Sequence, residues 1–353
     1  MVACASDPQM LAWEARLERV ERQAEGGQSE AALRGFTRLQ ATALNPLDPQ
    51  LLTLRKAWTH ARAGRHTRAV ELYSVVAQNG LRRMDRARAR YEIARIMESQ
   101  GRHGAAVAVY RHLALVYPDL MPGLRGLAHA ERLMRGRGRR GVDAHLAWLR
   151  QHYRRMKSTE LGDNFIFAAA HEARRRALSS QRPGRRHWQQ LAESLYLRIH
   201  SDHHRAGLWL QAMWELSFLY HRQERWRQEA TIIERIWRTR EGGGLFGDTG
   251  HAYHTAGLWR LARLHQKRLG QPAEAARILE RFLGVYRTSR LRDDARFFQG
   301  CTWLQAGQPQ RAERAWALIA KEYEASKYLR RVAAARANPS SAVCDLPIRE
   351  EVE

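Results

Sequence analysis

Lysine is nearly missing from this chain. Five of its 60 basic residues are lysines (Lys56, Lys157, Lys267, Lys321 and Lys327), which leaves 55 arginines. Beside abundant Ala, Gly and Leu, that is the skew a GC-rich coding sequence imposes. The net charge of +24 therefore says less about partners than its size suggests, although the field it creates is real. Cysteine is scarce too. Cys4, Cys301 and Cys344 make neither a disulfide framework nor a metal quartet. Cys301 falls in a helical pattern and is expected as a small core residue. No run of about 18 uncharged apolar residues occurs, so no segment is expected to span a membrane as a helix.

Motifs of chemistry are also lacking. There is no HExxH, no CxxC and no nucleophile elbow. The Gly-rich stretch GGGLFGDTG has no GKT or GKS and follows no strand, so it reads as a loop rather than a phosphate cradle. His251, His254 and Asp248 cluster, as do His200, His203 and His204, at spacings that can share a helix face. Sixteen histidines in a basic chain make such pairs expected, and neither is read as a metal site. No catalytic residue, cofactor or metal is expected.

What is present is a repeat. Residues 86–118 read as two short amphipathic helices cornered at Gly101, with small Ala94 and Ala106 where antiparallel helices approach, Tyr110 and Leu113 filling beside them, and Pro118 closing the unit. The same Gly–Ala–aromatic signature recurs at Gly64, Ala69 and Tyr73, with Ala57 as the small first-helix residue. It recurs at Gly27, Ala32 and Phe36, where Val20 replaces the small residue, and again at Gly307, Ala312 and Trp316, with Gly300. Gly270, Ala275 and Leu279 complete the set. The glycines within each block are 37 residues apart. A hairpin of this size cannot bury its apolar face alone, so an all-α stack of hairpins is expected.

These residues resemble the tetratricopeptide repeat (TPR) superfamily over residues 13–118 and 258–326. The resemblance implies a TPR-like α-solenoid, a superhelix of about seven to nine helical hairpins. It also implies a non-enzymatic scaffold or adaptor that binds a protein partner in a groove lined by first helices. Carried onto this chain, the groove positions are Leu54, Trp58 and Arg62; Arg88, Tyr91 and Arg95; and Arg260, Lys267, Arg268 and Phe297. Arginine beside aromatic suits an acidic or extended peptide.

The junctions Tyr117-Pro118-Asp119, Tyr286-Arg287-Thr288-Ser289 and Tyr323-Glu324-Ala325-Ser326 look like those of TPR proteins and lipoproteins of the bacterial cell envelope. Val2-Ala3-Cys4 resembles the tail of a lipobox without its charged and apolar leader. If Cys4 is acylated, the expected place is the periplasmic side of the outer membrane; otherwise it is the cytoplasm. Two other readings stay open: the superhelical accessory part of a lytic transglycosylase-like cell-wall system, and a basic helical-repeat binder of nucleic acid held by backbone contacts.

The expected organisation is a tether (1–12), an N-terminal TPR block (13–134), a basic loop RGRGRRG able to bind phosphates (135–141), and degenerate hairpins (142–240). A Gly-rich loop between two solenoid segments (241–250), a C-terminal TPR block (251–337) and a disordered tail (338–353) follow.

Overall fold

A computed structural model of the chain describes residues 7–181, 184–204, 207–239, 251–338 and 342–347. Cys4 and the Gly-rich segment 241–250 lie outside the described residues.

The turn glycines set the architecture. Gly27, Gly64 and Gly101 take φ of 81°, 74° and 74°, a left-handed conformation that side chains resist. At Gly101 its own N–H bonds the Glu98 carbonyl at 3.0 Å and the Arg102 N–H bonds the Met97 carbonyl at 2.9 Å. This Schellman pairing satisfies the last carbonyls of one helix and launches the next with almost no loop. The hairpins so formed are α1 (Pro8–Glu25) with α2 (Ser29–Ala41), α3 (Asp48–Arg62) with α4 (His66–Asn79), and α5 (Arg83–Ser99) with α6 (His103–Val116).

The next corner corrects the sequence reading. Residues 135–141 are not a basic loop. They end α7 (Met121–Gly136) and begin α8 (Gly138–Met156), with Arg137 alone between. Gly138, at φ 67°, stands 37 residues after Gly101 and continues the glycine series. A left-handed glycine reverses the chain without the extra residues a long loop would use.

There follow α9 (Gly162–Ser179), α10 (Gly184–Asp202), α11 (Trp209–Arg222), α12 (Trp226–Arg238), α13 (His251–Lys267) and α14 (Pro272–Val285). Then come α15 (Arg292–Gln305), α16 (Pro309–Glu322), α17 (Leu329–Ala337) and a 3-10 turn, Ala342–Cys344. No strand occurs among the described residues. The chain divides into two compact units, Met1–Phe165 and Ile166–Glu353. Within each, helices pack chiefly on their neighbours in sequence, as stacked repeats must.

The small-residue seams are fully buried: Ala57 with Ala69, Ala94 with Ala106, and Ala262 with Ala275. The aromatic positions Phe36, Tyr73, Tyr110 and Trp316 are buried beside them. In the first hairpin, where Val20 replaces the small residue, the facing Gly35 gives way instead: a Cβ there would stand 2.6 Å from a Val20 methyl. Between α11 and α12 no glycine is available. Glu224 takes the left-handed corner at φ 56°, and the same pair of bonds forms: its own N–H to the His221 carbonyl and the Arg225 N–H to the Tyr220 carbonyl.

Helices α12 and α13, on either side of the Gly-rich segment, pack directly on each other. One further expectation is overturned. Residues 342–347, expected within a disordered tail, are ordered against α13, α15 and α17. Their apolar side chains explain this: Cys344 and Leu346 are both fully buried. Cys301 is more than a core filler, because it forms a disulfide with Cys344 across a Cα separation of 5.4 Å.

Candidate functional site

In the first unit the six groove candidates separate into interior and surface. Leu54 is buried with Ala57, Tyr73 and Ile96 and belongs to the core. Tyr91 is 8% exposed and packs against the Tyr110 and His129 rings at 5.8 and 5.6 Å. Neither offers a free surface. Trp58 is half-buried, and the exposed Arg62 lies over its ring at 4.8 Å in a cation–π arrangement, with one guanidinium nitrogen donating to the Glu25 carbonyl at 3.4 Å. Arg88 and Arg95 are exposed, two helical turns apart on α5. Arg95 reaches Glu92 at 3.6 Å. Arg88, Arg95, Arg55 and Glu92 all act on the Tyr73 hydroxyl, whose pKa is raised chiefly by burial. The surface that survives is thus Trp58 with Arg62, and Arg88 with Arg95.

Beside it lies a polar knot that the repeat pattern does not announce. Glu98 accepts from the Tyr110 hydroxyl at 2.9 Å and pairs with Arg132. His129 joins it, Nδ1 3.1 Å from Glu98 Oε2 and Nε2 3.0 Å from the Tyr91 hydroxyl. Burial alone would raise the Glu98 carboxyl, but hydrogen bonds from Arg132, Tyr110 and His129 outweigh it and hold it below the usual range. The order hydroxyl–imidazole–carboxylate is that of acyl-transfer triads. Here, however, the hydroxyl is a buried phenol whose pKa is raised by desolvation, the opposite of an activated nucleophile. The knot ties α5, α6 and α7 together.

A basic concavity opens between α1 and α2. Arg16, Arg19, Arg34 and Arg38 line it around Val20 and Leu39, enclosing ≈ 430 Å³. No acidic side chain is in its lining.

In the second unit the four candidates go four ways. Arg260 is a strut. It pairs with the fully buried Glu229 at 2.7 Å, reaches the Ser217 carbonyl at 3.3 Å and lies 3.9 Å over the Phe218 ring. Phe297 is fully buried and stacked on Tyr328 at 4.6 Å. Arg268 is exposed over the Trp226 ring at 4.9 Å. Lys267 pairs with a carboxylate, that of Asp345 in the chain's own tail.

The tail contacts were missed by sequence reasoning. Gln266 grips the backbone on both sides: its Nε2 donates to the Cys344 carbonyl at 2.8 Å and its Oε1 accepts from the Leu346 N–H at 3.1 Å. Arg263 donates to the Leu346 carbonyl and Arg331 to the Val343 carbonyl. The available signal was a mostly apolar stretch, Val343 to Ile348, interrupted by Asp345 inside a polar end, with a cysteine in it to match Cys301. Among the described residues no group of three or more His, Cys, Asp or Glu could hold a metal, and no helix is long and apolar enough to cross a membrane.

Residues 256–289, most of α13 through α14 and the junction after it, match the tetratricopeptide repeat family model. No curated protein matches the chain in sequence. Among solved structures it is similar to a tetratricopeptide repeat protein from Parabacteroides merdae, at 11% identity over 93% of this chain and 100% of that one, TM-score 0.27. It is likewise similar to the TPR domain of P58(IPK), at 14% identity over 92% and 98% of the two chains, TM-score 0.27. Scores that low lend no weight to either superposition. What the comparisons identify as a tetratricopeptide repeat is residues 256–289, and the hairpins that turn on left-handed glycines elsewhere in the chain share the helix–turn–helix form of that repeat.

Proposed function

We propose that the chain is a non-enzymatic scaffold that captures an acidic, extended segment of a protein partner on the first-helix face of its N-terminal unit. The observation that supports this is the set of exposed arginines on α3 and α5: Arg62 carried on the Trp58 ring, and Arg88 and Arg95 on one side of α5. An arginine already held on an aromatic face, as Arg62 is, loses little freedom when it pairs with a carboxylate. Leu54 and Tyr91 serve this face from beneath, by packing.

The proposed setting is an assembly of the bacterial cell envelope, with Cys4 acylated as its membrane tether. It rests on the Tyr-x-x-Ser junctions and on Val2-Ala3-Cys4 alone.

Affinity capture from separate envelope and cytosolic fractions, at low and moderate salt, tests the whole reading. A protein retained at moderate salt from the envelope fraction is the expected result. Recovery of RNA or DNA alone, lost as salt rises, would replace the scaffold with a backbone-driven nucleic-acid binder.

A further inference from the structure

The C-terminal segment is seated in a manner that a separate peptide could reproduce. Four of its main-chain groups are engaged: the carbonyls of Val343, Cys344 and Leu346 and the N–H of Leu346. The donors and acceptors come from Arg263 and Gln266 on α13 and Arg331 on α17, and Gln266 is itself steadied by Gln305 on α15 at 2.9 Å. Contacts to main chain do not depend on which residues pass through. Specificity comes from three side chains: Cys344 and Leu346, both fully buried, and Asp345, which points out to Lys267. A small residue, an acidic residue and a leucine in succession describe the occupant.

We infer that this face of α13, α15 and α17 is a peptide-binding site for a partner segment of the form small–acidic–leucine, occupied in this structure by the chain's own residues 342–347. The inference rests on the peptide-binding reading above for the class of its partner, but it uses a different face and none of Arg62, Arg88 or Arg95. The Cys301–Cys344 disulfide is its lock. A tethered segment already competes at an effective concentration near the millimolar range, so an unlinked peptide gains entry only when the tail is released. Release takes a dithiol reductant. The S–S bond breaks, Cys301 and Cys344 each end as a thiol, and the two sulfurs of the reductant become its own disulfide.

The test uses full-length protein and a fluorescein-labelled synthetic peptide, Ala-Val-Ser-Asp-Leu-Pro, which copies residues 342–347 with serine for the cysteine. Fluorescence anisotropy is read against oxidised wild type and against a variant with the tail disabled, Cys344→Ser with Leu346→Asp. The variant should bind saturably and oxidised wild type should not. Adding Gln266→Ala should weaken binding at least tenfold, and Lys267→Glu should weaken it several-fold in low salt. Should circular dichroism show the tail-disabled variant unfolded, the same titration is run on wild type reduced with dithiothreitol, where weaker saturable binding is expected. Three results would overturn the inference: no binding by the folded, released protein; equal binding by oxidised wild type; or equal binding of a scrambled peptide. None of these bears on the N-terminal face, whose failure would show instead in the arginine variants.

Discussion

Replacing Gly300 by alanine adds one methyl group where the second unit has no room for it. A Cβ on Gly300 would stand 2.2 Å from Nε1, 2.5 Å from Cε2 and 2.6 Å from Cδ1 of Trp316. All three are atoms of one rigid ring, 2% exposed, and its Nε1–H donates to the Phe297 carbonyl at 3.0 Å. Relief requires turning the indole, which forfeits a buried hydrogen bond of about 1 kcal/mol, or parting α15 from α16, an overpacking cost of about 1–3 kcal/mol. Helix propensity favours alanine by up to about 1 kcal/mol and offsets part of this. With that offset subtracted, the expected net loss is roughly 0.5–2 kcal/mol. Gly284, in α14, has nothing within 4 Å of its Cβ position, so Gly284→Ala has the propensity gain without the clash. Because stacked repeats need not unfold in one step, the readout is amide hydrogen exchange of α15 and α16, with urea denaturation followed by circular dichroism as support. Gly300→Ala should lose protection in those two helices while Gly284→Ala keeps or gains it. Equal protection in the two variants would refute the close approach of α15 and α16 at Trp316.

Three further outcomes follow from the same physics. Glu224 holds a left-handed corner that its counterparts fill with glycine, so Glu224→Gly should raise stability by up to about 1 kcal/mol in urea denaturation despite glycine's entropy cost. Glu229→Gln strips the charge that matches buried Arg260 and should cost on the order of 3 kcal/mol, read as lost hydrogen-exchange protection across α11, α12 and α13. His145, on α8, is buried, with Arg111 and Arg135 nearby, and its pKa is pushed down to about 4, first by desolvation. In the unfolded chain it takes its proton near 6.5, so the stability its neutral ring contributes is present above pH 6.5 and is lost as pH falls toward 4, by up to about 3 kcal/mol. Denaturation midpoints of His145→Asn should be flatter than wild type across that window; parallel curves would contradict it.

Much of the architecture was legible because glycine carries it. A left-handed corner every 37 residues leaves a mark that composition does not blur, and Gly138 obeyed it even inside RGRGRRG. There the run of arginines suggested a loop, although arginine is an ordinary helix residue. The site was less legible, for a geometric reason. Successive helical residues turn by about 100°, so a slip of one position carries a side chain from groove to core. Leu54, Tyr91 and Phe297 fell on the buried side of that line, while Arg62, Arg88 and Arg95 stayed outside it. Arg260 failed differently: a basic residue on a first helix reads as surface until Glu229, 31 residues earlier, is found opposite it. The tail was invisible for a related reason. Its bonds to Arg263, Gln266 and Lys267 join residues 78 to 83 positions apart, beyond any local period.

The central claim is that the arginines of α3 and α5 capture an acidic partner segment. Acidic peptides selected by display against wild-type protein can be titrated against Arg62→Glu/Arg88→Glu/Arg95→Glu, with circular dichroism confirming the fold of the variant. Three exposed, charge-assisted contacts at roughly 0.5–1 kcal/mol each amount to a loss of at least about tenfold in affinity, steeper at low salt. That loss, with Leu346→Asp binding as wild type does, is the predicted result; affinity unchanged by the triple reversal would contradict the account.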